Sequence, residues 1–440
     1  MNTGKIIITI CLLASMSFAS AQEVQKNWTL RNCIDYAIAN NIQIRKMQVG
    51  VKVSEAGYEE SKAALFPSLN ASAGESFTHQ KANEGDLNSQ STYFSNNYSL
   101  RSDVVLYNGS RLKNNIVQQD LSVKSANLSV DEARNSIELA VTTSYLQVLY
   151  AREAVINAEN TVVASEATRD RAKILLESGY IAESNYAQVQ SQYSNDAYTL
   201  VNAKNNLEQQ MLSLKQLLEL DGSTDLRLVF PEIDEAQVLK VIPEKQQVYN
   251  TALGFMPEVE NEKLNIQSAD IAIKIAKAGY MPSLSLGASA STGQSSAVSN
   301  GYATQLGDNF YQNVGLTLSI PIFNNKQVKT AVQKATLNAQ TTRLSYAETE
   351  KNLRVQVESA YQEAIASQSR FQAAKEQLSA TETSYRLVED QFKLGMKNTV
   401  DLITEKNKLL SAQQEYLQAK YSAVLNYKLL DFYQQIRIEL

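Results

Sequence analysis

Near the C-terminus, apolar residues recur at a strict interval of seven: Leu402, Leu409, Tyr416, Ala423 and Leu430. A seven-residue period winds helices around one another, so a long packed helix is predicted from Asn398 to about Tyr433. The same interval runs through Tyr186, Tyr193, Leu200, Leu207 and Leu214. Each of these stands 216 positions before its counterpart (402 less 186). A third helical stretch carries Ile137, Val141, Tyr145, Val148, Arg152 and Val155 at three-four spacing.

Elsewhere the period drops to two. Leu69, Ala71 and Ala73 alternate with Ser68, Asn70 and Ser72. Tyr98, Leu100, Ser102, Val104 and Leu106 alternate with Ser99, Arg101, Asp103 and Val105. Leu284, Leu286, Ala288 and Ala290 repeat the first pattern, and Val314, Leu316, Leu318, Ile320 and Ile322 the second. Strands are predicted at about 66–76, 97–107, 282–292 and 312–323. The polar stretches between them, Gly74–Asn97 and Gly293–Asn309, read as loops.

Backbone breakers bound the helices. The six prolines leave Ser68–Phe230 clear, and glycine is absent from Ser110–Ser178, Ile181–Asp221 and Leu316–Leu394. Such windows admit very long helices, the first on the order of 100 Å at ~1.5 Å per residue. Gly179 and Gly395 mark the turns of two antiparallel hairpins, predicted at 109–220 and 325–435. Shorter helices are predicted at 29–64, with a stripe of Ile34, Ile38, Ile42 and Ile44, and at 245–280. Pro67-Ser68-Leu69 answers Pro282-Ser283-Leu284, and Tyr107-Asn108-Gly109 answers Phe323-Asn324-Asn325. The chain therefore reads as a duplicated unit of helix, strand, strand and long helical hairpin, over 22–220 and 245–440. Residues 221–244 join the halves, with a short strand at Leu226–Phe230.

The first 21 residues read as a secretory signal peptide: Lys5, an apolar run from Ile6 to Phe18, then the small-residue site Ala19-Ser20-Ala21. The mature chain is thus expected outside the cytoplasm, where it retains only Cys33 and no internal disulfide. With 41 basic and 46 acidic side chains the net charge is −5, which argues against a nucleic-acid surface. No apolar run reaches eighteen residues, so any membrane crossing falls to the strands. His79, the one histidine, has no ligand partners in the sequence around it, and Asp221–Asp225 lacks the rest of a calcium loop. With no phosphate loop, no nucleophile-base pair and no paired-carboxylate pocket, no catalytic residue, metal or cofactor is expected.

Four membrane-length strands cannot close a barrel, and lipid forbids an open edge. The barrel must be shared between copies, and closure alone allows two, three or four. An elongated coiled-coil scaffold that does not conduct is the alternative, but it has no use for lipid-facing strands.

The duplication, the Pro-Ser-Leu start of the strands, the run Val314–Phe323 and the stretch Gly395–Thr404 together resemble the TolC family of outer-membrane efflux proteins. The resemblance covers essentially the whole mature chain. It implies a mainly α protein with a membrane β-barrel: a homotrimer with twelve strands in the outer membrane and an α-helical barrel across the periplasm. It implies a passive duct for efflux or type I secretion, docked to a periplasmic adaptor and an inner-membrane pump. It also implies a periplasmic gate beside the second tip. There Phe392, Lys397 and Asp401 match the family's aromatic, basic and first acidic positions, and Thr404 replaces a second acid. Three Asp401 carboxylates on one axis would attract cations, with Lys397 relieving their repulsion. The plainer alternative is an acid favoured by the dipole at a helix start. Asn185, the first-half counterpart of Asp401, is neutral. Adaptor contact is expected at the tips, around Gly179, Gly395, Leu176, Ser178, Leu394 and Lys397.

Overall fold

The computed structural model describes residues 27–80, 91–223 and 225–440. The predicted signal peptide lies outside the described residues. In chain order the first half carries α1 (Leu30–Asn40), α2 (Ile42–Ala63), β1 (Ser68–Gln80), β2 (Ser91–Tyr107), α3 (Arg111–Glu177) and α4 (Glu183–Leu217). A single turn, α5 (Glu235–Val238), lies in the connector. The second half carries α6 (Lys245–Phe255), α7 (Pro257–Lys277), β3 (Ser283–Ser295), α8 (Tyr302–Asp308), β4 (Tyr311–Ser319), α9 (Gln327–Lys393) and α10 (Thr399–Tyr433). The helices α3 and α9 have 67 residues each, and α4 and α10 have 35 each. The longer pair therefore reaches about 100 Å. Among the described residues no helix is long and apolar enough to cross a membrane.

Each predicted short helix is two helices. Asn41 leaves the helical region, at φ −59° and ψ 131°, and its side chain caps α2 by accepting from the Gln43 and Ile44 amides. The Glu219 carboxylate accepts from the Ile42 amide at 3.1 Å and holds the break in place. In the second half the break falls at Met256, because Pro257 excludes the helical conformation for the residue before it.

The strands form one antiparallel sheet in the order β1-β2-β3-β4. In the span predicted as the loop Gly74–Asn97, residues 74–80 and 91–97 are strand, paired from Gly74↔Asn97 to Gln80↔Ser91, and 81–90 lie outside the described residues. Serine hydroxyls bridge this pair at Ser72–Ser99 and Ser76–Ser95, both 2.7 Å, so a polar sequence still carries a ladder. The second predicted loop is also ordered. β3 runs to Ser295, and α8 folds back on it through Thr292, whose hydroxyl donates to the Leu306 carbonyl at 2.6 Å. The strand predicted at 312–323 ends at Ser319, since Pro321 cannot donate to a ladder. The connector's predicted strand is a single parallel bridge, Trp28↔Leu228.

The core sits midway, where the connector wraps the hairpins. Trp28, Ile34, Val141, Tyr145, Val148, Leu214, Leu218, Phe371, Val424 and Ile438 are buried there together. Tyr145, 1% exposed, donates to the Val229 carbonyl, and burial pushes its phenol pKa up. A second cluster packs Val248, Ala252 and Val259 against Leu353, Val357 and Leu430. The sheet lies beyond one end of this belt and the hairpin tips beyond the other.

Candidate functional site

The two tips are built alike. Gly179 and Gly395 adopt φ +75° and +73°. Past each, an amide reaches back to close the helix: Tyr180 to Leu175 at 2.8 Å, and Met396 to Gln391 at 2.9 Å. Tyr180, Leu394 and Met396 project into solvent, Ser178 is exposed and Leu176 half-buried. The Arg171 guanidinium donates to the Lys393 carbonyl at 3.4 Å, which sets the tips side by side.

Beyond the second tip, Asn398 caps α10 by accepting from the Asp401 amide at 2.9 Å. Asp401 is thus an acid in the first turn, with its carboxylate 3.6 Å from the Lys397 ammonium. Both side chains are exposed, so the pair is worth ~0–1 kcal/mol and leaves Asp401 available to other partners. Phe392 is half-buried at the end of α9, and Thr404 is exposed one turn past Asp401. The next residue, Glu405, accepts from Lys408 at 2.7 Å and from the Ser384 hydroxyl at 3.0 Å. These two donors hold its carboxyl below the usual range.

The structure also brings together residues that sequence reasoning missed. Lys406 on α10 reaches Asp196 on α4 at 2.6 Å, with their side chains 11% and 2% exposed. Gln192 donates to the other Asp196 oxygen at 2.8 Å and to Asn407 at 3.4 Å. Nearby, burial first, then Glu389 and Asp196, push the Tyr385 phenol up to about 12. Further along the same seam, Tyr421 and Lys420 both donate to Glu153, at 2.6 and 3.2 Å. The seam between the hairpins is therefore sealed by buried polar links. A signal was present: Lys406 stands between Leu402 and Leu409 on the apolar stripe, and Asp196 follows Tyr193 by three. A charge on a packing stripe needs a buried partner.

At the opposite end the sheet presents two unlike faces. Leu69, Leu100, Leu286 and Leu316 share one face, and Asn70, Arg101, Ser289 and Asn313 share the other. The apolar face is open: Leu69, Val314, Leu316 and Leu318 are 60–74% exposed. β1 and β4 are unpaired at the outer edges. Among the described residues no cluster of histidine, cysteine and acids is arranged to hold a metal.

A sheet with a bare apolar face, set on helices about 100 Å long, defines an elongated protein with a membrane or partner surface at one end rather than a compact globular domain. The outer membrane efflux protein family model matches residues 33–219 and 248–432, once in each half. The chain belongs to that family: it is an outer-membrane protein of export, extending into the periplasm. It is 23% identical to the outer membrane protein TolC of Escherichia coli (strain K12), over 94% of this chain and 84% of that protein. It is 22% identical to the outer membrane efflux protein BepC of Brucella suis biovar 1, over 97% of this chain and 90% of that protein. A solved structure of CusC superposes with a TM-score of 0.73 at 18% identity, covering 92% of each chain.

Proposed function

We propose that three copies of the chain close a twelve-stranded barrel in the outer membrane and a helical tunnel beneath it. The observation that carries this reading is the four-stranded sheet with two bare edges and an exposed apolar face. In lipid both edges must be paired, and four strands are too few to curl onto themselves. Pairing β4 of one copy with β1 of the next gives both bare edges a partner. The nine residues of β4 span about 30 Å, the thickness of the hydrocarbon layer. Aromatics gather at both ends: Tyr107, Tyr280 and Phe323 on the helix side, Phe94, Phe310 and Tyr311 on the far side. These are the positions of an interfacial girdle.

The duct is passive. Efflux or type I secretion draws its energy from an inner-membrane pump, and a periplasmic adaptor docks on the exposed tips around Leu176, Ser178, Gly179, Leu394 and Gly395. Lys397 and Asp401, with Phe392 and Thr404, form the gate where the second tips of three copies converge. Imaging of the purified particle tests the assembly: threefold symmetry, a barrel at one end and a tunnel about 100 Å long are expected. A monomeric rod soluble without detergent overturns it.

A further inference from the structure

Among the described strand residues only four side chains can carry charge: Glu75, His79, Arg101 and Asp103. Two of them sit together on the polar face. The Arg101 Nε donates to Asp103 Oδ2 at 2.7 Å, and its Nη2 to Oδ1 at 3.1 Å. This is a two-pronged fork between residues two apart on β2. The sheet is cleared for it. Asp103 is paired across to Gly287, and Gly287 to Gly315. A Cβ on Gly287 would stand 3.1 Å from Asp103 Oδ1, tight enough to push the carboxylate aside. Around the fork the same face carries only small or neutral side chains: Asn70, Ser285, Ser289, Asn313 and Thr317.

We propose that Arg101 and Asp103 form a ring of paired charges in the exit pore, which keeps that pore electrically neutral and open to solutes of either sign. The inference rests on the trimeric barrel, in which the polar face lines the lumen and three forks encircle it. A ring of aspartates alone would favour cations and a ring of arginines alone would favour anions. Holding the two in one fork cancels both fields at the wall. The specificity consequence is distinct from the periplasmic gate. Solutes admitted at the tip are not sorted again by charge on the way out.

The test places a cysteine in the lumen and reads local potential by its rate of modification. Ser289→Cys lies directly across from Arg101, while Ala288→Cys lies on the apolar face. Cys33 is fully buried and outside the reagents' reach. The probes are cationic trimethylammonioethyl and anionic sulfonatoethyl methanethiosulfonate, applied to the assembled protein in bilayer vesicles at low salt. Ser289→Cys should react with both and Ala288→Cys with neither. Adding D103N should raise the anionic-to-cationic rate ratio by about tenfold, and adding R101Q should lower it by a similar factor. The exchange R101D/D103R should return the ratio to that of Ser289→Cys alone and shows that assembly survives a change at these positions. High salt should shrink every shift. Reaction at Ala288→Cys, or none at Ser289→Cys, would defeat the barrel reading itself. A reactive Ser289→Cys whose ratio ignores both single charge changes defeats the neutral-ring proposal alone.

Discussion

At the residue scale, the contact that most constrains the hairpins is the Asp196–Lys406 pair. Its ammonium and carboxylate are removed from water together, and Gln192 satisfies the remaining carboxylate oxygen. Breaking such a pair from one side strands a charge in the seam. Lys406→Met is expected to cost about 3–5 kcal/mol, seen as a lower midpoint in thermal unfolding of the detergent-solubilised protein. Replacing both partners, with Asp196→Leu added, should recover most of the loss, because two apolar side chains carry no desolvation penalty. A double variant as unstable as the single would show that the seam depends on packing volume instead. Neither partner recurs in the other half: Gln190 stands where repetition would put Lys406, and Ala412 where it would put Asp196. The pair thus favours one relative position for two hairpins of matched length.

At the scale of elements, the junction from strand to long helix shows how duplication and local sterics meet. Gly109 turns the chain at φ +64°, and a Cβ there would stand 2.6 Å from Met281 Cβ. Its counterpart, Asn325, bears a similar φ of 48°, which asparagine tolerates better than most residues. Gly395 has the same backbone sign but open space around it. Gly395→Ala should therefore cost only the left-handed penalty of roughly 1–2 kcal/mol, and Gly109→Ala clearly more. Equal losses in unfolding midpoint would remove the steric argument. The same elements show what the sequence discloses. Long helices were legible because glycine and proline are missing from them, and the turns because Gly179 and Gly395 interrupt those runs. The break at Met256 has its local signal in Pro257. The break at Asn41 combines its own capping side chain with a contact to Glu219, 178 residues away. The outer parts of β1 and β2 were hidden because serine and asparagine ladders carry no hydrophobic alternation. At the tip, Lys397 and Asp401 stand out only through the resemblance of Gly395–Thr404 to the family's motif, while the Arg171 contact with Lys393 joins residues 222 apart and leaves no local trace.

At the scale of the whole molecule, charge is treated differently at its two ends. The polar face of the sheet holds Asp103 in a fork with arginine, whereas the tip holds Asp401 in a loose, exposed contact with Lys397. The proposed threefold assembly would multiply that difference. Three weakly paired carboxylates near one axis would attract cations and repel one another, so in the proposed gate closure would depend on how far Lys397 screens them. In planar bilayers the wild-type protein should then conduct poorly and prefer cations. Asp401→Asn should raise or alter the single-channel current and reduce that preference. Lys397→Ala, which exposes the acids, should sharpen the preference without widening the pore. With the exit neutral as proposed, R101Q or D103N should change this cation preference far less than either tip variant, since the narrowest section dominates the measured selectivity. If Asp401→Asn leaves both conductance and ion preference unchanged, Asp401 is an acid placed to suit the start of α10, and closure must be sought elsewhere along the tunnel.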